Sequence, residues 1–263
     1  MKKLLTLVMT AILGVACVLG MTACGKSDTL YVYTNAGFAP YEYLDANGNV
    51  VGIDVDVMNA IGEALGYKVV IKDVAFNTIM TEVQNDKYAV GAAGMSKTDA
   101  RDAIATASIV YSTSVQYVIA KKGTFTAGQK VTVDEIMAKG KKVGVQGGTT
   151  GSYLIEEYGM SEADLEAGKT NDLAKEYKNA ILASQDITDD NGQMVVIDKL
   201  PAESIVASND KLECWEIDNP AEEYVIYFNK KATDLVKKVN TELQKLIDDG
   251  KIEEFTIKHT ANA

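Results

Sequence analysis

The chain has 263 residues, with 37 acidic against 26 basic side chains and a formal net charge of −11. That balance leaves no basic patch, so nucleic acid is excluded as an expected partner, and the acidity suits a soluble monomer. One histidine and three cysteines narrow the metal, disulfide and acid–base chemistry open to the chain.

In chain order the first feature is a leader. Lys2 and Lys3 precede the apolar run LLTLVMTAILGVACVLGM, and Thr22-Ala23-Cys24 closes it. A charged start, an apolar middle and small residues before the cut make a secretory signal over 1–23. The cysteine after the small pair marks a bacterial lipoprotein signal, with Met21 where Leu is usual. Cys24 is the expected lipidation site, carrying palmitate among its acyl chains, and 24–28 is a short tether. Cys17 lies inside the apolar run. Loss of Lys2 and Lys3 with the leader takes the charge from −11 to −13. With Cys24 lipidated, Cys214 is left alone in LECWEI and reads as a small buried hydrophobe. No other segment reaches the roughly 18 apolar residues of a membrane span. The mature chain is therefore expected at the cell surface or in the periplasm, held to the membrane by lipid.

LYVYT (30–34) reads as a strand. Asn47-Gly48 marks a turn. GIDVDVMNAIGEALGY reads as a helix capped by Asp54, with Val57, Ile61 and Leu65 on one face and Gly66 at its end. YKVVIKDV is a strand, NTIMTEVQNDKY a helix and AVGAAGM (89–95) a strand of small residues. The pattern then restarts. VQYVIAKKG (115–123) is a strand, VTVDEIMAKG a short helix, KKVGVQ a strand, and GGTTGSYLIEEYG a turn entering a helix. LAKEYKNAILAS reads as helical, QMVVID (193–198) as a strand and LPAESIVAS as a helix with Pro201 in its first turn. EEYVIYFNK (222–230) is a strand. ATDLVKKVNTELQKLIDDG is an amphipathic helix ended by Gly250. Alternating strands and helices make an α/β protein of two blocks.

Ligands of open α/β sheets bind outside the carboxyl ends of the strands. Four such ends carry polar or flexible chemistry: Asn35 to Phe38, Ala93 to Ser96, Gly147 to Ser152, and Asp198. The second leads to Arg101, the only arginine in the chain. A guanidinium can hold a carboxylate with two parallel hydrogen bonds. In the first turn of a helix it opposes the dipole by roughly 0.3–1 kcal/mol, so either an anionic ligand or a protein carboxylate must offset it. The turn holding Thr149 and Thr150 lacks the Gly-Lys-Ser/Thr of a P-loop and the G-x-G-x-x-G spacing; a structural turn explains it as well as a ligand site does. Asp198 could hold an ammonium or cap the helix that follows. Phe38, Tyr41, Tyr43 and Phe76 could wall a pocket or fill the core.

Catalysis has little support. His259 lies near the C-terminal end, in an expected tail, which removes most Ser-His and Cys-His mechanisms and a His-ligated metal. No cofactor and no metal are expected. Glu42 and Glu82 are the carboxylates nearest the strand ends in sequence, and both could as easily lie on the surface.

Taken together, the stretches TNAGFAPYEYLDANGNVVGIDVDVMNAIGEALGYKV, AAGMSKTDAR, KKVGVQGGTTGSY, MVVIDKLPA and VKKVNTELQKLIDDGKIEE resemble the extracellular solute-binding proteins of amino-acid ABC transporters, the bacterial family 3 type, over about Leu30 to Lys258. The resemblance implies a two-lobed periplasmic-binding-protein-like fold of type II, with two crossover strands and a ligand cleft between the lobes. Lobe 1 is then 29–118 plus 224–263, and lobe 2 is 119–223. Hinge closure on the ligand is the expected motion. The resemblance further implies that Arg101 grips the α-carboxylate of an amino acid, aided by backbone amides and a hydroxyl at Gly94 and Ser96, beside Ala93, and by an amide at Thr150, beside Thr149. Asp198 takes the α-ammonium. The ligand side chain lies among Asn35, Phe38, Phe76 and Gln146. The implied partners are a free amino acid and the permease of an ABC transporter.

The chain departs from the family pattern at Ala89 and Gln193, where Asp is frequent, over Ala107 to Tyr111, and in the long stretch ITDDNGQ (187–193). Asn35 in place of Asp favours a polar neutral amino acid over Lys or Arg. An enzyme on the same scaffold, dehydratase-like, would need a carboxylate in the cleft. A ligand-sensing receptor component would need a separate signalling partner.

Overall fold

The computed structural model describes residues 29–187 and 193–261. The leader, the tether with Cys24, and most of the ITDDNGQ stretch lie outside the described residues.

The strands and helices, in chain order, are β1 (Thr29–Thr34), β2 (Tyr43–Leu44), β3 (Val50–Val51), α1 (Ile53–Leu65), β4 (Lys68–Asp73), α2 (Ile79–Asn85), β5 (Ala89–Gly91), α3 (Asp99–Ile104), β6 (Thr106–Ala107), β7 (Ser112–Ser114) and β8 (Gln116–Lys121). There follow α4 (Val133–Met137), β9 (Val143–Gln146), α5 (Thr150–Glu156), α6 (Glu162–Glu166), β10 (Ala174–Tyr177), α7 (Ala180–Gln185), β11 (Met194–Asp198), α8 (Lys199–Ala207), β12 (Leu212–Glu216), β13 (Glu222–Tyr224), β14 (Tyr227–Phe228), α9 (Thr233–Asp248) and α10 (Lys251–Thr260).

Two five-stranded sheets result, ordered β4-β1-β5-β14-β6 and β10-β9-β11-β8-β12. In the first, β4, β1 and β5 run parallel and β14 runs antiparallel to β5. In the second, β10, β9 and β11 are parallel and β8 is antiparallel to β11 and β12. Among the described residues, the strands that connect the two sheets are β7 and β13, paired antiparallel with Ser114 opposite Glu222. The chain leaves the first sheet through β7 and returns to it through β13.

Apolar spacing explains the helices that cover the first sheet. Val57, Met58 and Ile61 of α1 are fully buried, and a Cβ on Gly62 would meet the Val69 side chain at 2.3 Å, so only glycine lets this helix sit so close to β4. Leu235, Val236, Val239 and Leu243 give α9 its buried face. In the second sheet Trp215 is buried and donates its indole N–H to the Thr126 carbonyl over 3.0 Å.

Several sequence readings change. LAKEYKNAILAS is not one helix but strand β10 followed by α7. Leu173, Tyr177 and Ile181 recur every four residues and imitate a helical face. Asn179 sets the break, since its side chain accepts from the Leu182 amide and starts α7 only there. EEYVIYFNK is two strands, because the chain changes partner between Tyr224 and Tyr227. AVGAAGM is extended only to Gly91. Asp54 does not cap α1, whose cap position is Gly52 and has no side-chain cap bond. His259 is not in a tail: it lies on α10, only 3 % exposed, between Asp56 and the Tyr43 hydroxyl at 2.9 and 3.1 Å. Cys214 is half-buried on an edge strand rather than fully enclosed, and burial pushes its thiol up to about 11.

Candidate ligand cleft between the two sheets

The carboxyl ends of β1, β5, β9 and β11 meet between the sheets. They bring Asn35, Phe38, Phe76, Ala93, Gly94, Ser96, Arg101, Gln146, Thr149, Thr150 and Asp198 to the wall of one cavity. These are all of the ligand-contact residues expected from the sequence. A twelfth lining residue, Glu42, was not among them.

Arg101 is positioned by short-range chemistry. The Thr98 side chain caps α3 by accepting from the Arg101 amide at 3.2 Å. Arg101 is 8 % exposed, and its guanidinium lies 5.4 Å from the centre of the Phe76 ring and donates to the Ser96 carbonyl at 2.7 Å and to the Gly148 carbonyl at 3.1 Å. Those two carbonyls belong to opposite sides of the cleft. The alternative weighed from sequence was an ion pair with a protein acid. Among the described residues the guanidinium instead donates to backbone carbonyls, and the Glu222 and Asp198 carboxylates act on it through space. Burial holds its pKa below the usual arginine range.

Two more contacts cross the cleft. Gln146 donates its side-chain amide to Asn35 Oδ1 at 2.9 Å. Thr150 Oγ1 donates to Glu222 at 2.7 Å, and Ser96 Oγ donates to the same carboxylate oxygen.

Asp198 ends β11 at the first position before α8, yet it makes no cap bond. It is 6 % exposed and accepts from the Tyr224 hydroxyl at 2.6 Å. Burial first, and then the neighbouring Glu222 charge, push its carboxyl up to about 7. Gly94 takes φ +52°, and a Cβ there would meet the Phe38 ring at 2.6 Å, so glycine is required both for the turn and for the aromatic wall.

The sequence matches the bacterial extracellular solute-binding proteins of family 3 over residues 30–262. The chain belongs to this family. It is similar to the arginine-binding extracellular protein ArtP of Bacillus subtilis, 30 % identical over 98 % of both chains. A probable histidine-binding protein of Neisseria gonorrhoeae is 28 % identical over 88 % of this chain and 82 % of its own. Among solved structures, a mutant of the arginine-binding protein of T. maritima superposes with a TM-score of 0.76 at 28 % identity, covering 89 % of this chain and 96 % of that one. An ancestral arginine-binding protein bound to arginine gives 0.74 at 31 % identity, over 88 % and 98 %.

This solute-binding protein is a two-lobed type II periplasmic fold, and it is a binder rather than an enzyme. Among the described residues no cluster of three or more His, Cys, Asp or Glu could hold a metal, and no helix is long and apolar enough to cross a membrane.

Three acids of the solute-binding protein escaped the sequence reading. Glu42 could have been a surface residue; it is 1 % exposed, lines the cavity, and its Oε2 has no hydrogen-bond partner. Burial, with Asp54, Asp73 and Asp198 nearby, raises its carboxyl well above the usual range. Asp54, in the first turn of α1, accepts from the Gly94 amide at 2.8 Å and from the Tyr111 hydroxyl at 2.6 Å, and burial raises it to about 6. The Gly94 amide is thus committed to protein, so Gly94 offers the cavity room rather than a donor. Glu222 opens the returning strand β13. The signal for Glu42 was its place between Tyr41 and Tyr43 in a turn too tight to expose all three; Phe38 and Glu42 pair across it.

Proposed function

We propose that this protein captures one free amino acid by closing lobe 1 on lobe 2 about the β7–β13 crossover, and hands it to the permease of an ABC transporter. The lobe 1 boundary expected at 118 moves back to precede β8, which lies in the second sheet. The observation that carries the reading is the buried Arg101 guanidinium, which spans the cleft and faces the same cavity as Asp198. A forked cation and a buried carboxylate are complementary to the two ends of a zwitterion.

The side chain is argued from charge. Arg101 contributes one positive charge to the cavity wall, while Asp198 and Glu42 contribute two carboxylates. A zwitterion balances Arg101 and Asp198 and leaves Glu42 unanswered. One Glu42 oxygen has no hydrogen-bond partner and burial disfavours its charged form; a cationic side chain reaching it would stabilise the carboxylate. Arginine therefore leads the candidates, in keeping with the arginine-binding relatives. Asn35 had favoured a polar neutral ligand. Glu42 supplies an acid that Asn35 does not.

The protein acts outside the cell, held to the membrane through acylated Cys24. Converting Cys24 to Ser should release it into the medium or periplasm, and retention of that variant on washed membranes counts against the anchor. A thermal-shift screen of the twenty amino acids tests the ligand. A ligand present at 100 times its dissociation constant stabilises by about 2.7 kcal/mol. Arginine should give the largest shift, and no shift with any of the twenty overturns the reading.

A further inference from the structure

We propose that Glu222 is a positioning residue for the ligand ammonium: it takes the hydroxyl hydrogens of Ser96 and Thr150, and so makes both oxygens acceptors toward the cavity. The inference rests on the amino-acid reading above.

Glu222 begins β13, the second crossover between the sheets. One carboxylate oxygen accepts from Ser96 Oγ and from Thr150 Oγ1, the latter at 2.7 Å; the other accepts from Gln116 Nε2 at 3.0 Å. Ser96 comes from the β5 side of the cleft, and Thr150 and Gln116 from the other. Glu222 does not itself line the ligand cavity. It faces a surface depression behind it, and Ser96 and Thr150 form the partition, lining both.

A carboxylate only accepts, and a hydroxyl has one hydrogen and two lone pairs. Once the Ser96 and Thr150 hydrogens point at Glu222, only lone pairs remain, and one of the two on Thr150 already accepts from Gln116 Nε2 at 3.4 Å, which leaves one there for a ligand. Two such oxygens and the Asp198 carboxylate supply three acceptors in one wall, and an ammonium has three donors and no acceptor. The same arrangement is wrong for a carboxylate. The Ser96 hydroxyl, which the family resemblance assigned to the ligand carboxylate, therefore belongs to the ammonium end, leaving the carboxylate to Arg101. Glu222 thus sorts the two ends of the zwitterion by fixing hydrogen positions, without touching the ligand.

The test compares arginine with 5-guanidinopentanoate, which lacks the α-amino group, and agmatine, which lacks the carboxylate, by calorimetry on wild type and Glu222→Gln. Loss of one set of acceptors should weaken arginine and agmatine by the same factor, on the order of tenfold, and leave 5-guanidinopentanoate within about twofold. Ser96→Ala with Thr150→Val removes the same acceptors while keeping Glu222. It should reproduce that pattern, and adding Glu222→Gln to it should change arginine affinity no further. Equal weakening of all three ligands, or a further loss in the triple variant, overturns the role of Glu222. A wild type that binds none of the twenty amino acids overturns the amino-acid reading instead. A wild type that prefers another amino acid moves the comparison to that amino acid and its deaminated and decarboxylated analogues.

Discussion

Gln146 and Asn35 meet across the cleft, the side-chain amide of the first donating to the carbonyl oxygen of the second at 2.9 Å. Asn35 also donates its own amide to the Val74 carbonyl at 2.6 Å, which fixes which of its atoms faces Gln146. An aspartate at this position could still accept from Gln146 and would add a negative charge to the cavity. Asn35→Asp should therefore tighten arginine severalfold and leave glutamine no tighter. Equal gains for both ligands, measured by calorimetry, would show that charge at this position does not select.

Arg101→Ala should remove the forked grip on the ligand carboxylate. Charge-assisted hydrogen bonds contribute about 1.5–3 kcal/mol each, so two of them correspond to a loss of roughly 10²–10⁴ in affinity. The melting temperature of the free protein should hold or rise, because a buried charge is removed. Arg101→Lys should recover only part of the binding, since an ammonium cannot reproduce the planar fork. Wild-type affinity in the alanine variant would sink the carboxylate assignment.

Glu42→Gln separates charge from shape. Its carboxyl is buried and raised well above its usual range, so the ionised form works against folding at neutral pH. The variant should unfold at a higher temperature than wild type without ligand. It should also lose arginine by at least about tenfold, one uncompensated charge-assisted bond, while binding glutamine as well or better. Unchanged arginine binding would place the cationic side chain elsewhere in the cavity.

Asp198 and Asp54 set the pH response. Their folded-state values, about 7 and about 6, lie above the ordinary carboxyl range. Between that range and the folded values the native state holds protons that the unfolded chain has lost. Stability of the free protein therefore falls as pH rises from about 4 toward 7. Asp198→Asn should flatten the upper part of that fall. A ligand ammonium needs Asp198 ionised, so affinity should rise over the same interval and binding near pH 6 should release protons. Titration calorimetry in buffers of different ionisation enthalpy reads that number directly, and proton uptake would reverse the assignment.

The sequence made much of this legible, for physical reasons that differ from place to place. Arg101 stood out because it is the only arginine and follows a turn of small residues. The strand ends carrying Asn35, Ala93, Gln146 and Asp198 were visible because short apolar runs stop abruptly at polar or flexible residues. Glu42, Asp54 and Glu222 were not. Each is an acid among many acids, and its burial depends on partners 40 to 126 positions away, such as Gly94 for Asp54 and Ser96 for Glu222. His259 was misread because amphipathic spacing in a short terminal helix looks much like a solvated tail. Tyr177 shows the remaining ambiguity: its fourfold spacing with Leu173 and Ile181 fits a helix, and only the Asn179 cap and pairing with β9 make it a strand.

The pairing of Ser114 with Glu222 sets the entrance to the second sheet beside its exit. All five strands of the first sheet lie outside the segment between those two residues. In topological terms the second half is a guest looped into a host, with both attachment points on neighbouring rungs of one ladder. A short splice across that rung would leave the host's strand order unbroken. Equally, a circular permutation opened within the guest would move the chain ends to the far lobe without altering either sheet.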